Sequence, residues 1–235
     1  MDRHLMLHAG GDISSACDEI LEHFHGARRA VMIPWAIKDC DRAVARFNDR
    51  FASRGLEVTG LHTVPNPAAS LAEADAIIVS GGNSFRLVNA LHTFHLIDTV
   101  RSAIVGGVPY FGASAGANVA CPTIRTTNDM PIVQPPSFAA FGLVPFQINP
   151  HYIDPPPPEA RIGETREERL QEFLEENKVT VIALREESWL VLHGGSMSLH
   201  GTGGAIVFRR GAEPEAVAGG ADLSPLLQET PVYDA

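Results

Sequence analysis

Cysteine is scarce in this sequence, and basic residues are outnumbered by acidic ones. The 235 residues include only three cysteines, Cys17, Cys40 and Cys121, which are far apart and odd in number. They exclude a disulfide framework and lack a zinc-binding spacing, so we expect reduced thiols. The sequence has 18 lysines and arginines and 28 aspartates and glutamates, which gives a formal net charge of −10. Without a basic stripe to displace counterions from phosphates, a nucleic-acid partner is disfavoured.

The sequence also lacks an uninterrupted apolar run that would span a membrane. Its most apolar stretch, residues 102–122, is broken by two glycines, a proline and an asparagine. The segment MDRHLMLHAGG at the start has neither the basic region nor the long apolar core of a signal peptide. These observations predict a cytoplasmic protein without a membrane partner, and they leave open whether it is a monomer or a homodimer.

Short apolar runs alternate instead with amphipathic stretches. With 45% hydrophobic residues the chain is long enough for one sizeable core, and we expect a single domain over residues 1–235. The alternation predicts an α/β fold, a three-layer αβα sandwich with a mostly parallel central sheet. The predicted strands are residues 4–8, 30–33, 57–62, 76–80, 109–112 and 179–184, and the predicted helices are 41–54, 84–94, 95–105, 115–121 and 165–177.

The pattern changes after residue 122. Residues 122–145 are rich in proline and polar side chains, which predicts a long functional loop. Short apolar runs follow at 189–192, 196–200 and 205–210, and a Gly-Gly pair separates the first two. We expect these runs to be antiparallel edge strands that close the sheet near the C-terminus.

The segment GASAG, residues 112–116, places a serine between two glycines directly after an apolar run. A serine on a sharp strand-to-helix turn has a strained backbone, and flanking side chains would collide with the neighbouring strand and helix. Gly112 and Gly116 remove those collisions. The free N–H groups of the next helix then point at Ser114 and can hold an oxyanion. The pattern predicts a nucleophile elbow; the alternative is an ordinary tight turn with a solvent-facing serine.

A nucleophilic serine needs a general base and a carboxylate that orients it. Of ten histidines, His151 is favoured because it follows the short strand FQIN and Pro150, in a loop at a strand end. The alternative is a histidine that caps a turn. Glu186 and Glu187 follow the strand at 179–184 and are the candidate carboxylates. The order serine, histidine, acid differs from that of the α/β-hydrolases, in which the acid precedes the histidine.

Two other groups of side chains have competing interpretations. The spacing of His92, His95 and Asp98 along predicted helices is compatible with metal ligands; the alternative is that they are solvated surface residues. No further ligand cluster is evident along the sequence. Cys121 is close to Ser114, and we expect it to be a small buried side chain rather than a reactive thiol.

Five segments of the sequence together resemble one family. They are SGGNSF at 80–85, GASAGANVACPTIRTTNDMPIV at 112–133, FQINPHY at 146–152, GETREERL at 163–170 and LREESW at 184–189. The resemblance is to dipeptidase E, the aspartyl dipeptidases among the serine peptidases, which have a flavodoxin-like, class I glutamine-amidotransferase-like fold. It implies acyl-enzyme hydrolysis of dipeptides with N-terminal aspartate (Asp-Xaa), without a metal or other cofactor.

The resemblance assigns catalytic roles by position. It implies that Ser114 is the nucleophile and His151 the base. Glu186 matches the acid, since it lies three residues before Trp189 as in the family motif. Glu187 falls where the family often has glycine, so we leave it out.

The resemblance also implies an oxyanion hole formed by the backbone N–H groups of Gly82 and Ala115. This suits the sequence, because Gly81 and Gly82 follow a buried strand and glycine lets the backbone approach a ligand closely. The alternative is a plain strand-to-helix turn. Asn83, the next residue, is included among the expected substrate-binding residues.

An aspartyl side chain in a pocket needs a cation, for which arginine is the best geometric match. The resemblance implies that Arg166 is this cation, with Arg125 as the second choice; the alternative is that Arg166 pairs with a neighbouring glutamate. Asp129 is expected to bind the free α-amino group of the substrate. The alternative for Asp129 is a turn before Pro131.

Three segments depart from the family pattern. Ala113 replaces an aromatic residue that often precedes the nucleophile, PPPP at 155–158 differs from the usual loop, and LHAGGDISS at 7–15 is only loosely similar. These differences concern the substrate pocket. The rival interpretations are a cyanophycinase-like hydrolase of β-aspartyl peptides on the same fold and a non-catalytic binding protein that has kept the fold.

Overall fold

The computed structural model describes residues 3–234, so that residues 1, 2 and 235 of the predicted domain lie outside the described part. Strands and helices alternate along its first half. The strands are β1 (His4–His8), β2 (Arg29–Ile33), β3 (Glu57–Gly60), β4 (Ala76–Val79), β5 (Tyr110–Ala113), β6 (Gln147–Asn149), β7 (Val181–Leu184), β8 (Ser188–His193), β9 (Ser196–Gly201), β10 (Ala205–Phe208) and β11 (Glu215–Val217). The helices are α1 (Cys17–His23), α2 (Cys40–Phe51), α3 (Pro67–Ala72), α4 (Ser84–Thr93), α5 (Ile97–Val105), α6 (Ala115–Val119) and α7 (Arg166–Glu176).

The central sheet has seven strands in the order β3-β2-β4-β5-β1-β8-β9. The five strands from β3 to β1 are parallel, whereas β8 and β9 are antiparallel additions at the edge. The carboxyl ends of the parallel strands therefore meet at one edge, where α/β proteins build their sites. The predicted mostly parallel sheet with antiparallel C-terminal strands is confirmed.

Helices cover both faces of this sheet. One face packs on α1 and α2, and the other packs on α3 to α6. Because both faces are covered, β4 is a continuous buried run, AIIV, rather than an alternating one. Helices α1 and α3 were not predicted, since seven and six residues are too few to show a clear helical period.

Four strands form a second sheet, in the order β11-β10-β7-β6. The run at 205–210 was expected to close the central sheet, but it forms β10 of the second sheet, antiparallel to β7. The reason is that β7 and β10 are buried on both sides. Ile182 and Leu184 face the main core, while Val181 and Ala183 pack on α7.

Two connecting segments bear on the site. Residues 122–145 form the predicted loop, tied together by an isolated bridge between Thr123 and Ala139. Helix α7 begins with a capping box. The Glu168 amide donates a hydrogen bond to the Thr165 hydroxyl, and the Thr165 amide donates one to the Glu168 carboxylate. None of the described helices is long and apolar enough to cross a membrane.

Candidate active site

The candidate site lies at the carboxyl edge of the central sheet and draws on both sheets. Ser114 follows β5, and the glycine pairs after β1 and β4 lie beside it. His151 and Glu186 come from the turns after β6 and β7 of the second sheet. The site thus combines side chains that follow strands of both sheets.

Ser114 lies on a strained turn. Its φ of 53° and ψ of −107° are outside the regions that a residue with a side chain ordinarily occupies. A Cβ on Gly112 would be 2.5 Å from the Gly116 oxygen, and a Cβ on Gly116 would overlap the Val79 carbonyl of β4. Both flanking glycines are therefore required for the sharp turn, as the sequence pattern predicted. Such strain costs about 1–3 kcal/mol and typically concentrates at functional sites.

Three side chains form a line of hydrogen bonds. The Ser114 hydroxyl donates to His151 Nε2 at 2.7 Å, and His151 Nδ1 donates to Glu186 Oε1. Glu187, on the other hand, turns its carboxylate to the Thr202 hydroxyl, 2.8 Å away. The arrangement gives the serine a base and gives that base an orienting carboxylate.

Two glycines that the sequence reasoning did not select support this line. Gly10 and Gly11, which follow β1 after the single residue Ala9, have φ of 115° and 71°. A Cβ on Gly10 would collide with the His151 ring and be 2.8 Å from Ser114 Cβ, and one on Gly11 would collide with the Glu186 carboxylate. The available signal was a Gly-Gly pair that follows a buried strand.

A buried histidine lies beneath these glycines. His8 is fully buried at the end of β1 and stacks on Trp189, with ring centroids 5.4 Å apart. Its Nδ1 accepts a hydrogen bond from the Gly10 amide at 3.0 Å, and its carbonyl accepts one from the Ser114 amide at 2.9 Å. Burial lowers the pKa of His8 to about 4. The ring is therefore neutral at pH 7 and holds the Gly10 turn against the site.

Gly82 and Ala115, the expected oxyanion-hole residues, both have an amide that donates no hydrogen bond within the described residues. Gly82 has φ of 139°, and a Cβ there would be 2.5 Å from the Ala36 oxygen. Glycine is thus required at this position. Because helix α6 has only five residues, an oxyanion here would be stabilised mainly by hydrogen bonds from individual amides and less by the helix dipole.

A cleft of about 750 Å³ opens over Ser114 and His151. Gly10, Gly11 and the glycines after β4 line its floor. Helix α2 contributes Arg46 and Arg50 to its wall, which the sequence reasoning did not anticipate. Arg50 contacts Asp12 at 3.3 Å, whereas Arg46 makes no ion pair with the described residues. Because Arg50 is paired and Asp49 also lines the cleft, Arg46 is the cation of the wall that has no ion pair among the described residues.

Arg166 is the first residue of α7. The glutamates of its own segment pair elsewhere, Glu164 with Arg169 and Glu168 with Arg161. The Arg166 Nη1 atom is buried and has no hydrogen-bond partner among the described residues. Burial lowers the pKa of Arg166, Arg169 lowers it further, and the charge of Glu186 opposes both effects. Arg166 thus has a buried guanidinium nitrogen without a partner among the described residues, and its charge interacts with that of Glu186.

Arg125, the second choice for the substrate cation, is already engaged. It binds the Asp234 carboxylate through two nitrogens at 2.7 and 3.1 Å and lies over the Tyr233 ring. These contacts tie the 122–145 loop to the C-terminal segment. They occupy the fork that a substrate carboxylate would need.

Asp129 and Asn83 hold the loop on the start of α4. Asp129 Oδ2 accepts hydrogen bonds from the Ser84 amide at 2.7 Å and from the Thr127 hydroxyl at 3.0 Å. Asn83 caps α4 and donates to the Met130 carbonyl at 2.9 Å. The second Asp129 oxygen makes no hydrogen bond to a described residue.

The competing candidates from the sequence lie away from the site. His92 bonds the Ala139 carbonyl and Asp98 pairs with Arg101, so these side chains do not converge on a metal position. Cys121 is fully buried, and burial raises the pKa of its thiol well above the ordinary range. The expectation that Cys121 is a buried small side chain is in accord with this environment.

The fold and the hydrogen-bonded serine, histidine and glutamate define a serine hydrolase built on an α/β sheet. Residues 5–200 match the model of Peptidase family S51. A Streptomyces coelicolor protein named peptidase E is 50% identical over 227 residues, which cover 97% of this chain and 93% of that protein. The chain therefore belongs to peptidase family S51 and is a serine peptidase, which confirms the family resemblance seen in the sequence.

Two further comparisons extend this result. A Drosophila melanogaster protein described as a probable alpha-aspartyl dipeptidase is 41% identical over 226 residues, covering 95% of this chain and 94% of that protein. The crystal structure of a peptidase from an acI-B1 actinobacterium has a TM-score of 0.68 at 18% identity. It covers 95% of this chain and 97% of its own, and shows the likeness of fold alone.

Proposed function

We propose that this peptidase hydrolyses dipeptides with N-terminal aspartate and that Ser114, His151 and Glu186 carry out the reaction. The observation that carries the proposal is the hydrogen bond of 2.7 Å from Ser114 Oγ to His151 Nε2. Ser114 lies on a strained turn and lines the cleft. The description of the Drosophila melanogaster relative supports the choice of substrate.

Acylation begins when His151 Nε2 takes the proton of the Ser114 hydroxyl. The oxygen attacks the carbonyl carbon of the Asp–Xaa bond and forms a tetrahedral intermediate. The carbon–nitrogen bond then breaks, and His151 gives its proton to the leaving amine. Glu186 accepts the hydrogen bond of Nδ1 throughout, which stabilises the imidazolium.

Deacylation repeats these steps with water. His151 takes a proton from the water, whose oxygen attacks the aspartyl ester of Ser114. The ester bond breaks, the serine oxygen recovers its proton from His151, and free aspartate leaves. In both halves the negative oxygen is held by the amides of Gly82 and Ala115, whose hydrogen-bonding capacity is otherwise unused within the described residues.

We assign substrate recognition to the two charges of an N-terminal aspartyl residue. Arg166 binds its side-chain carboxylate, supported by the fact that the neighbouring glutamates pair with other arginines and leave its guanidinium without an ion pair among the described residues. Asp129, helped by Asn83, binds the free α-amino group through the oxygen that the loop does not use. A blocked amine would lose this charge pair, which restricts the enzyme to N-terminal residues.

The test is the hydrolysis of Asp-Leu, Asn-Leu, Glu-Leu and N-acetyl-Asp-Leu by purified protein with a chelator present. We expect cleavage of Asp-Leu only, and a loss of at least about 10⁴-fold in the Ser114→Ala variant. The variant removes a single oxygen, so its circular dichroism spectrum should match that of the wild type.

The outcomes separate chemistry from substrate. Activity of Ser114→Ala equal to the wild type would reject Ser114 as nucleophile. Labelling of Ser114 by a fluorophosphonate without cleavage of any of these dipeptides would keep the nucleophile and reject the substrate. In that case β-aspartyl peptides are the next substrates to measure.

A further inference from the structure

Three histidines that are distant in sequence meet at the other end of β1. His4 begins β1 and His193 ends β8, and the two residues lie directly opposite each other in the antiparallel ladder. Opposite residues in such a pair project from the same face of the sheet. Their imidazole rings are accordingly in contact, with centroids 4.2 Å apart.

The third histidine comes from the turn that ends α1. His25 has φ of 51°, and Gly26 after it has φ of 82°, which reverses the chain beside β1. The turn places the His25 ring at right angles to the His4 ring, with centroids 5.0 Å apart. The His25 and His193 rings are 5.9 Å apart and both residues are exposed.

The nitrogen atoms of the three rings converge. His25 Nε2 and His4 Nδ1 are 3.2 Å apart, and one nitrogen from each of the three rings lies within 4.8 Å of the others. Two nitrogens bound to one tetrahedral zinc ion, at about 2.0–2.1 Å each, are separated by about 3.4 Å. The first pair has nearly this spacing through a hydrogen bond between the two rings, which a bound ion would replace, and the exposed His193 contributes a nitrogen within 4.8 Å of both.

We propose that His4, His25 and His193 form a surface site for a divalent transition-metal ion, with Zn²⁺ as the favoured ion. Neutral imidazole is a preferred ligand of zinc, and three such ligands leave one tetrahedral position to water. Among the described residues this is the one group of three potential ligands whose atoms converge in this way. Along the sequence it was invisible, because its members lie at positions 4, 25 and 193.

The site is separate from the peptidase chemistry. His4 is four residues before His8, which corresponds to about 13 Å along a strand, and the glycines that contact His151 and Glu186 follow His8. A bound ion joins β1, β8 and the α1 turn. It should therefore stabilise the folded chain in proportion to its occupancy, while leaving peptide hydrolysis unchanged.

The experiment uses untagged protein freed of metal with a chelator and then dialysed against chelator-free buffer at pH 7.5. Zn²⁺ binding is measured by isothermal titration calorimetry, and Co²⁺ binding by visible absorption, which reports tetrahedral coordination. We expect one saturable site of one ion per chain, a Tm that rises with Zn²⁺ concentration, and displacement of Co²⁺ by Zn²⁺.

His25→Asn is compared with a matched control, His95→Asn. Both histidines are exposed and have φ near 50°, which asparagine tolerates. We expect Zn²⁺ affinity to fall at least about tenfold in His25→Asn and in His193→Ala, and to be unchanged in His95→Asn. No saturable site in the wild type, or equal affinity in His25→Asn, would overturn the proposal. So would binding that is lost only in His151→Ala, because the ion would then be in the active site.

Discussion

Gly10 lies directly against the ring of His151. A Cβ at Gly10 would overlap His151 Nε2, the atom that accepts the hydrogen bond from Ser114. The Gly10 amide is in turn fixed by His8 Nδ1 at 3.0 Å. The position of the base is therefore set by backbone packing as well as by its bond to Glu186.

The first prediction concerns this contact. Gly10→Ala should lower kcat/KM for Asp-Leu by at least about a hundredfold, because a methyl group displaces the ring by a good fraction of an ångström. The matched control is Gly107→Ala. Gly107 has a similar φ of 101° but nothing within 4 Å of its added Cβ. Both variants share the backbone strain, so equal losses of activity would show that contact with His151 is unimportant.

The adjacent glutamates allow a matched test of the acid. Glu186→Gln removes the charge that stabilises the imidazolium, and we expect kcat to fall between about 10²-fold and 10⁴-fold. Glu187→Gln should have little effect on kcat, since its carboxylate faces Thr202. Steady-state kinetics of both variants on Asp-Leu decides between them. A larger loss in Glu187→Gln would transfer the role of acid to that residue.

The selectivity for Asp-Leu over Asn-Leu tests which arginine binds the aspartyl carboxylate of the substrate. Arg166→Met should reduce kcat/KM for Asp-Leu by about 10-fold to 150-fold, the value of a hydrogen bond to a charged group, and should leave labelling by a fluorophosphonate intact. Arg46→Met is the comparison, because Arg46 lines the cleft without an ion pair to the described residues. If only Arg46→Met weakens the preference for Asp-Leu over Asn-Leu, the aspartyl carboxylate binds at α2 instead.

Acid should destabilise the fold through two buried histidines. Burial lowers the pKa of His8 and of His23 to about 4, whereas the unfolded chain has a histidine pKa of about 6.5. Below pH 6.5 the unfolded state therefore binds protons that the folded state does not. The free energy of unfolding should fall as pH decreases from about 6.5 to about 4, by up to about 3 kcal/mol for each histidine.

Urea unfolding at several pH values measures this effect. His8→Gln and His23→Gln should each flatten the dependence on pH, because glutamine does not titrate. The control is His95→Asn at an exposed position, which should leave the slope unchanged. A wild-type slope in both buried-site variants would contradict the prediction.

Much of the site could be read from the sequence because its chemistry is local. The five-residue turn around Ser114 needs glycine on both sides for steric reasons that hold in any strand-to-helix elbow. His151 and Glu186 each follow a strand and sit in segments that resemble the family. The buried strands and α7, with its capping box, are also marked by short-range patterns.

Other features depended on contacts between distant segments. The pattern at 205–210 indicated a strand, but only packing on both sides of β7 decided which sheet it joins. The engagement of Arg125 by Asp234 was likewise invisible, since 109 residues separate them.

Local patterns in the sequence specify the alternation of strands and helices and the strained serine turn, because steric and periodic rules act over a few neighbouring residues. The choice of His151 and Glu186 as partners of Ser114 rests on the family resemblance as well. The packing of distant segments alone shows that Gly10 and Gly11 contact His151 and Glu186, that α2 lines the cleft, and that three histidines converge at the far end of β1. Those relations are distances between segments whose separation along the chain carries no information about their separation in space.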